Sequence, residues 1–210
     1  MTRWQIINAI AARLGARTYL EIGVQRGDTF SRVEVARRIG VDPDPTSAAT
    51  FHETSDSYFA RLDRSRAAFG EAAPTFDLVF VDGLHHREQV VRDVENASRH
   101  LSPGGAIVVH DCDPPTERAG GRAICSGVWC GDVWRGWIDL RRSLDREAFV
   151  VDTDLGCGVI LSGEATPLAG GDDPTWADFS ADRAGWLRLV SVAAAEARIA
   201  GIEPLKRTGP

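Results

Sequence analysis

The sequence contains no apolar run approaching the roughly 18–20 residues of a membrane span. Positive charge is not in excess: 24 Lys and Arg stand against 30 Asp and Glu, for a net charge of −6. This argues against a dedicated binder of nucleic acid or anionic membrane, which would carry a basic stripe, and leaves room only for a local patch. The N-terminal stretch has neither the compact apolar segment nor the small-residue cleavage site of a secretory leader. Cys112, Cys125, Cys130 and Cys157 form no CxxC pair, so they read as reduced thiols of a cytoplasmic protein. A zinc site made of Cys112, Cys125 and Cys130 would need a spacing that common zinc motifs do not use. GxGxxG is missing too, which argues against a nicotinamide-linked oxidoreductase.

What is present is enough for one sizeable core. The chain has 210 residues, 43% of them hydrophobic, and at this size about 70% of the unfolded surface is buried without disulfide or metal. Trp4, Ile7, Ala11 and Leu14 recur at helical spacing, Thr2 and Gln5 suit a capping box, and Gly15 ends the pattern. Short apolar runs bounded by turn residues predict strands near 18–24, 38–42, 50–54, 76–82, 106–111, 149–152 and 158–162. Leu78-Val79-Phe80-Val81 and Ile107-Val108-Val109 do not alternate, as befits parallel strands covered on both faces. Helices are predicted over 58–69, along Val90, Val94, Ala97 and Leu101, around Trp134 to Arg141, and over 181–200. Only about 13 residues separate Val24 from the second strand, so any helix there is very short or irregular. The last two strands are joined by Thr153-Asp154-Leu155-Gly156, short enough for a hairpin.

The predicted fold class is α/β: a doubly wound, Rossmann-like sheet of seven strands, mostly parallel, with a terminal antiparallel hairpin. It forms a single domain: an N-terminal helix (1–16), a core (18–162), and a C-terminal tail and helix (163–210). Such sheets bind ligands beyond the carboxyl ends of their strands, near the switch in strand order. All the motifs below sit at such ends.

The first is Glu21-Ile22-Gly23-Val24-Gln25-Arg26-Gly27. Gly23 and Gly27 permit close backbone approach. An acid before the glycine turn would repel a pyrophosphate but suits a cationic amine. Nineteen residues after Gly23 stands Asp42, where a carboxylate can accept ribose hydroxyls. Two acids so placed describe a site for S-adenosylmethionine, which offers an amino group, a sulfonium and a ribose diol.

With Gly40-Val41-Asp42-Pro43, Thr54-Ser55-Asp56, Asp82-Gly83-Leu84-His85, Pro103-Gly104-Gly105 and His110-Asp111-Cys112 added, residues 18–162 resemble class I S-adenosylmethionine-dependent methyltransferases. The resemblance is closer to the small-molecule O-methyltransferase branch that acts on macrolide sugars and rhamnose. It implies that Glu21 holds the methionine amino end, Gly23 and Gly27 admit the cofactor, Asp42 binds the ribose, and Ser55 and Asp56 flank the adenine. Asp56 equally suits a helix N-cap before Tyr58.

Adjacent strand ends should gather Asp82, His85 and His86 with His110 and Asp111. An aliphatic hydroxyl is a very weak acid, so methylating it calls for a base, a metal, or both. Asp82 and Asp111 suit a hard cation such as Mg²⁺. His110 as a third ligand would shift the preference towards Mn²⁺, Fe²⁺ or Zn²⁺. In metal-dependent relatives of the sugar-methylating kind, an acid and an acidic pair hold the metal, and a His three positions after the first acid is the base. Asp82 and His85 match that spacing; His110 departs from it, standing where those relatives have an acid. His85 is therefore the candidate general base, with a helix-capping role as the alternative. His86 reads as a solvated neighbour, His52 and His100 as structural. Trp129 and Trp134 read either as an apolar wall over the substrate, with Asp132 as a polar contact, or as core; Asp154 could face the pocket. Arg141-Arg142 reads as a solvated helix face.

The function expected is methyl transfer to a hydroxyl of a small-molecule acceptor, a sugar or natural product, with a divalent metal assisting and neither nucleic acid nor membrane as partner. The alternatives are metal-independent methylation of an amine or carboxylate and a non-catalytic S-adenosylmethionine-binding module. The apolar faces of the first and last helices leave a homo-oligomer open, although core packing explains both.

Overall fold

Alternation along the central strands decides the architecture. The computed structural model describes residues 1–69 and 74–206. In it, Leu78, Phe80, Ala106 and Val108 point to one face of a sheet and Val79, Val81, Ile107 and Val109 to the other, every one buried. A strand apolar on both faces needs cover on both. The first face receives α1 (Arg3–Leu14) through Ile6, Ile7, Ile10 and Leu14, and α7 (Val192–Ala200) through Ala195 and Ile199. The second receives α2 (Ser55–Phe69), α3 (Arg87–Arg99) and α4 (Val133–Ser143).

Seven strands make the sheet: β1 (Thr18–Ile22), β2 (Arg37–Val41), β3 (Phe76–Val81), β4 (Leu101–Val109), β5 (Glu147–Val151), β6 (Cys157–Leu161) and β7 (Leu189–Val190). Their order is β2-β1-β3-β4-β6-β5-β7. β1 to β4 are mutually parallel; β6 is antiparallel to both neighbours. The α/β class, the mostly parallel sheet and the terminal hairpin are as expected. Strand order turns back between β1 and β3, and the candidate site residues gather there.

The strand list differs from expectation in two places. Residues 50–54 form no strand: Phe51 makes one isolated bridge to Val41, and the chain then enters α2 at Ser55. Thr54 caps that helix, its Oγ1 accepting from the Ser57 N–H at 3.2 Å. The Ala-rich stretch 181–200 is not one helix. After α5 (Trp176–Ala181) and α6 (Arg183–Leu187), Arg188 adopts a left-handed conformation, and Leu189–Val190 joins the sheet edge beside β5 before α7 begins. The short β1–β2 connection holds only a 3₁₀ turn, Phe30–Arg32, as its length required. Residues 207–210 of the predicted tail lie outside the described residues. No helix is long and apolar enough to cross a membrane among the described residues.

Arg141 also departs from expectation. It is buried, and its guanidinium donates to the carbonyls of Gly185, Trp186 and Thr166, tying α4 to the C-terminal segment. The two tryptophans separate as well. Trp134 is 1% exposed, packs at 4.4 Å on Phe179 and donates to Gly120 O, so it is core. Trp129 is half-buried and stacks on His85 at 5.0 Å. Trp134→Ala should therefore cost about 3–5 kcal/mol in urea unfolding, and Trp129→Ala less than about 1.5 kcal/mol. Equal losses would contradict this division.

Candidate active site

In-register pairing brings the site together. Ile22 pairs with Val81, and Val81 with Val109. The ladder runs one residue further: Gly23 N–H donates to Val41 O, Asp82 N–H to Ile22 O, and His110 N–H to Val81 O, all at 2.8–3.0 Å. Gly23, Asp82 and His110 thus leave the sheet side by side. Gly23 has φ +84°, and a Cβ there would lie 2.0 Å from Asp82 O, so only glycine allows the two chain ends to pass.

A cleft of about 460 Å³ opens beyond β1, β2 and β3, and Gly23, Asp42, Ser55, Asp56, Asp82 and Gln89 are among its lining residues. Asp42 is buried; its Oδ2 accepts from Gln25 N–H and its Oδ1 from Asp44 N–H. The first bond holds Gln25 at φ +46° and fixes the glycine loop to the end of β2. Gly27 is taken up by the turn itself, with its N–H on Val24 O. Ser55 and Asp56 reach the cleft from the first turn of α2, not from a strand end, and the capping role considered for Asp56 belongs to Thr54. Gln89 escaped the sequence reading: its amide nitrogen lies within hydrogen-bond reach of Ser55 Oγ, Asp56 Oδ1 and Asp93 Oδ1. A glutamine in an amphipathic helix carries no signal of that role.

Glu21 is 1% exposed and accepts a 2.5 Å hydrogen bond from Tyr19 OH. Burial pushes its pKa up to about 8, with Asp82 adding to the rise against the Tyr19 bond. It lines a small cleft of about 50 Å³ with Arg3, Arg26, Thr29 and Asp82.

A cluster of carboxylates and imidazoles lies beside it. One oxygen or nitrogen each from Asp82, His85 and Asp111 lie within 4.8 Å of one another. His85 Nε2 is 3.3 Å from Asp82 Oδ1 and 3.3 Å from Asp111 Oδ2, and its Nδ1 is 3.2 Å from Trp129 O. A carbonyl only accepts, so Nδ1 carries a proton, and Nε2 is left facing two carboxylates. Burial pulls the His85 pKa down, but the bond to Asp82 and the charge of Asp111 outweigh it, and the net shift is upward. Asp111 has φ +60°, a left-handed conformation that Asp tolerates. It breaks strand alternation, so that His110 and Asp111, adjacent in sequence, meet at 3.2 Å on the same side.

His110 is held from behind. Arg3 Nη1 lies 2.9 Å from His110 Nε2 and 3.2 Å from Asp154 Oδ1. A guanidinium only donates, so Nε2 accepts and the His110 proton resides on Nδ1, towards Asp82 and Asp111. Neither Arg3 nor Gln89 was singled out in the sequence, because each touches the site only through the fold. Asp132 caps α3 through Arg87 N–H at 2.7 Å. His86 precedes α3 and makes no side-chain cap, His100 is buried against Asp63 and Phe59, and His52 is exposed in a loop. Cys112, Cys125 and Cys130 do not converge on one point among the described residues; the thiol that joins a donor cluster is Cys157, with His110 and Asp154.

The Glu21 shift has a sign. Its folded pKa, about 8, exceeds the ordinary 4.5. Between those pH values the unfolded chain has lost a proton that the folded chain keeps, so stability falls as pH rises through the window and levels off above it. Glu21→Gln removes this slope. Its melting temperature relative to the parent should climb from pH 4.5 to about pH 8 and then stop climbing. A constant offset in thermal melts across that range would refute the buried, protonated state.

No curated protein matches the chain by sequence. Among solved structures, Rv0187 from MTB, crystallised with cofactor, is 20% identical over 78% of this chain and 82% of its own, with TM-score 0.50. The O-methyltransferase TomG of Streptomyces achromogenes, involved in tomaymycin synthesis and solved with S-adenosylmethionine, is 17% identical over 77% and 80%, with TM-score 0.50. The Podospora anserina methyltransferase PaMTH1, solved with S-adenosylhomocysteine, is 14% identical over 77% of each chain, with TM-score 0.51. Residues 20–112, from β1 to the cysteine after β4, match the methyltransferase-domain family. With that match over the strands that build the cleft, residues 20–112 are similar to a methyltransferase domain, and the chain has the fold of the class I methyltransferases.

Proposed function

We propose that this protein transfers the methyl group of S-adenosylmethionine to a hydroxyl of a small molecule, a sugar or natural product, beside a divalent cation held by Asp82, His85 and Asp111. One observation carries the reading: Asp82 lines the nucleoside-sized cleft and also belongs to the Asp82–His85–Asp111 cluster. Donor and acceptor sites therefore share a residue. Asp42 at the end of β2 is placed for the ribose diol, Glu21 for the ammonium end, and Ser55, Asp56 and Gln89 for the base.

The donor set fits a hard cation. It offers two carboxylates and an imidazole nitrogen whose partner nitrogen is already committed to Trp129 O. Asp111 Oδ1 and His110 Nδ1 are buried without a hydrogen-bond partner among the described residues, which an added cation and its waters would relieve. Bound there, a divalent ion supplies Lewis acidity to the acceptor hydroxyl. The residues do the rest. Asp82 and Asp111 supply the negative charge, Trp129 packs His85 in place, and Arg3 holds His110 with its Nδ1 facing both carboxylates.

This reading moves His85 from base to ligand and His110 from ligand to positioning residue. The support is geometric. Between Asp82 and Asp111, Nε2 is placed either to ligate a cation or to carry a proton, and neither form is a free base. Holding donor and acceptor in line can contribute about 7–11 kcal/mol.

Isothermal titration with S-adenosylhomocysteine should show binding that Asp42→Ala weakens about 10- to 100-fold. Transfer of a labelled methyl group to a panel of sugar and phenolic hydroxyls should stop with EDTA and return with Mg²⁺ or Mn²⁺. Turnover on amines or carboxylates that ignores EDTA would overturn the hydroxyl-and-metal reading. Cofactor binding without turnover on any acceptor class would leave a binding module, and no binding at all would overturn the nucleoside site.

A further inference from the structure

The small cleft beside Glu21 holds an arrangement that methyl transfer itself does not use. Gly23, Gln25 and Asp82 line both this cleft and the large one, so the two are continuous. If the nucleoside occupies the large cleft, as proposed above, its amino-acid end enters the small one. That end carries an ammonium and a carboxylate. Glu21, Asp28 and Asp82 suit the ammonium; the carboxylate needs a cation, and Arg3 and Arg26 are the cations that line the cleft.

Arg26 is exposed, whereas Arg3 is built in. The Arg3 backbone N–H donates to Asp154 Oδ2 at 2.8 Å, its Nε to Thr29 Oγ1 at 3.1 Å, and its Nη1 contacts His110 Nε2 and Asp154 Oδ1. Met1 O, two residues earlier, accepts from Thr153 Oγ1. These bonds hold the first turn of α1 against the β5–β6 hairpin and aim one guanidinium into the cleft. Its Nη2 donates to no described residue. A guanidinium fixed on two edges with a free NH₂ is preorganised for one more acceptor, and loses little entropy in taking it.

We propose that Arg3 binds the carboxylate of the cofactor's amino-acid end, so that the N-terminal helix completes the cofactor site. The inference rests on the nucleoside reading, and its test separates the two. The probes are S-adenosylhomocysteine and its decarboxylated analogue S-adenosyl-3-thiopropylamine, which keeps the amine and the thioether. By titration calorimetry the parent protein should prefer the carboxylate-bearing ligand. Arg3→Ala should weaken S-adenosylhomocysteine about 10- to 100-fold and shift the analogue by no more than about 2-fold, abolishing the preference. Arg3→Lys, which keeps the charge and loses the fork, should retain part of it. If Arg3→Ala does not fold, Arg3→Gln, which can still donate to Asp154, takes its place. Equal weakening of both ligands would overturn the proposal in favour of a scaffold role. A preference that survives Arg3→Ala and disappears in Arg26→Ala would assign the carboxylate to Arg26 instead. A parent protein that binds neither ligand would bring down the nucleoside reading beneath it.

Discussion

Two carboxylates facing one imidazole nitrogen set the terms for the rest of this molecule. Asp82 and Asp111 each stand 3.3 Å from His85 Nε2, in a site where one carboxylate is buried and the other mostly so. Like charges brought this close out of water repel, and a protein tolerates them only with positive charge between them. Within the chain that charge is only partial, from imidazole N–H groups: burial pushes the Asp82 pKa upward, and its contacts with His110 and His85 more than reverse it. A divalent cation would supply it better. The hydrogen bonds that commit His85 Nδ1 to Trp129 O and His110 Nε2 to Arg3 both leave the cluster's interior to be satisfied from within.

The sheet makes this concentration of charge affordable. Parallel strands in register deliver Gly23, Asp82 and His110 to one edge without any loop having to find its place. The left-handed turn at Asp111 costs about 1–3 kcal/mol in backbone strain, offset by the bonds that follow it, Cys112 N–H to Gly156 O and Asp113 N–H to Leu155 O. The β5–β6 hairpin thus has two tasks. It closes the sheet, and through Asp154 it anchors Arg3 and so the N-terminal helix.

The fold was largely legible in the sequence because its signals are local. Uninterrupted apolar strands, glycine turns and the short β1–β2 link each follow from a few neighbouring residues. Residues 50–54 misled because Phe51, flanked by polar residues, resembles a strand from within the sequence, whereas a single bridge to Val41 is all it can make beside the edge strand β2. The 181–200 stretch misled because alanine favours helix everywhere, and only the edge of β5 reveals why Leu189 and Val190 are extended. In the site, Asp42, Asp82, His85 and Asp111 could be named because they follow strand ends. Their division of labour could not. That depends on which nitrogen of His85 meets Trp129 O and which of His110 meets Arg3, contacts spanning 44 and 107 residues. Arg3 looked like an ordinary polar residue of an amphipathic helix, and Gln89 likewise.

The central proposal is that Asp82, Asp111 and His85 would hold a divalent cation, with His85 as its nitrogen ligand. Pulsed electron paramagnetic resonance of the protein loaded with Mn²⁺ tests it most directly. A ¹⁴N coupling from one directly bound imidazole should appear, vanish in His85→Ala and persist in His110→Ala. A coupling that persists without His85 and vanishes without His110, or no tight Mn²⁺ site at all, would contradict the account.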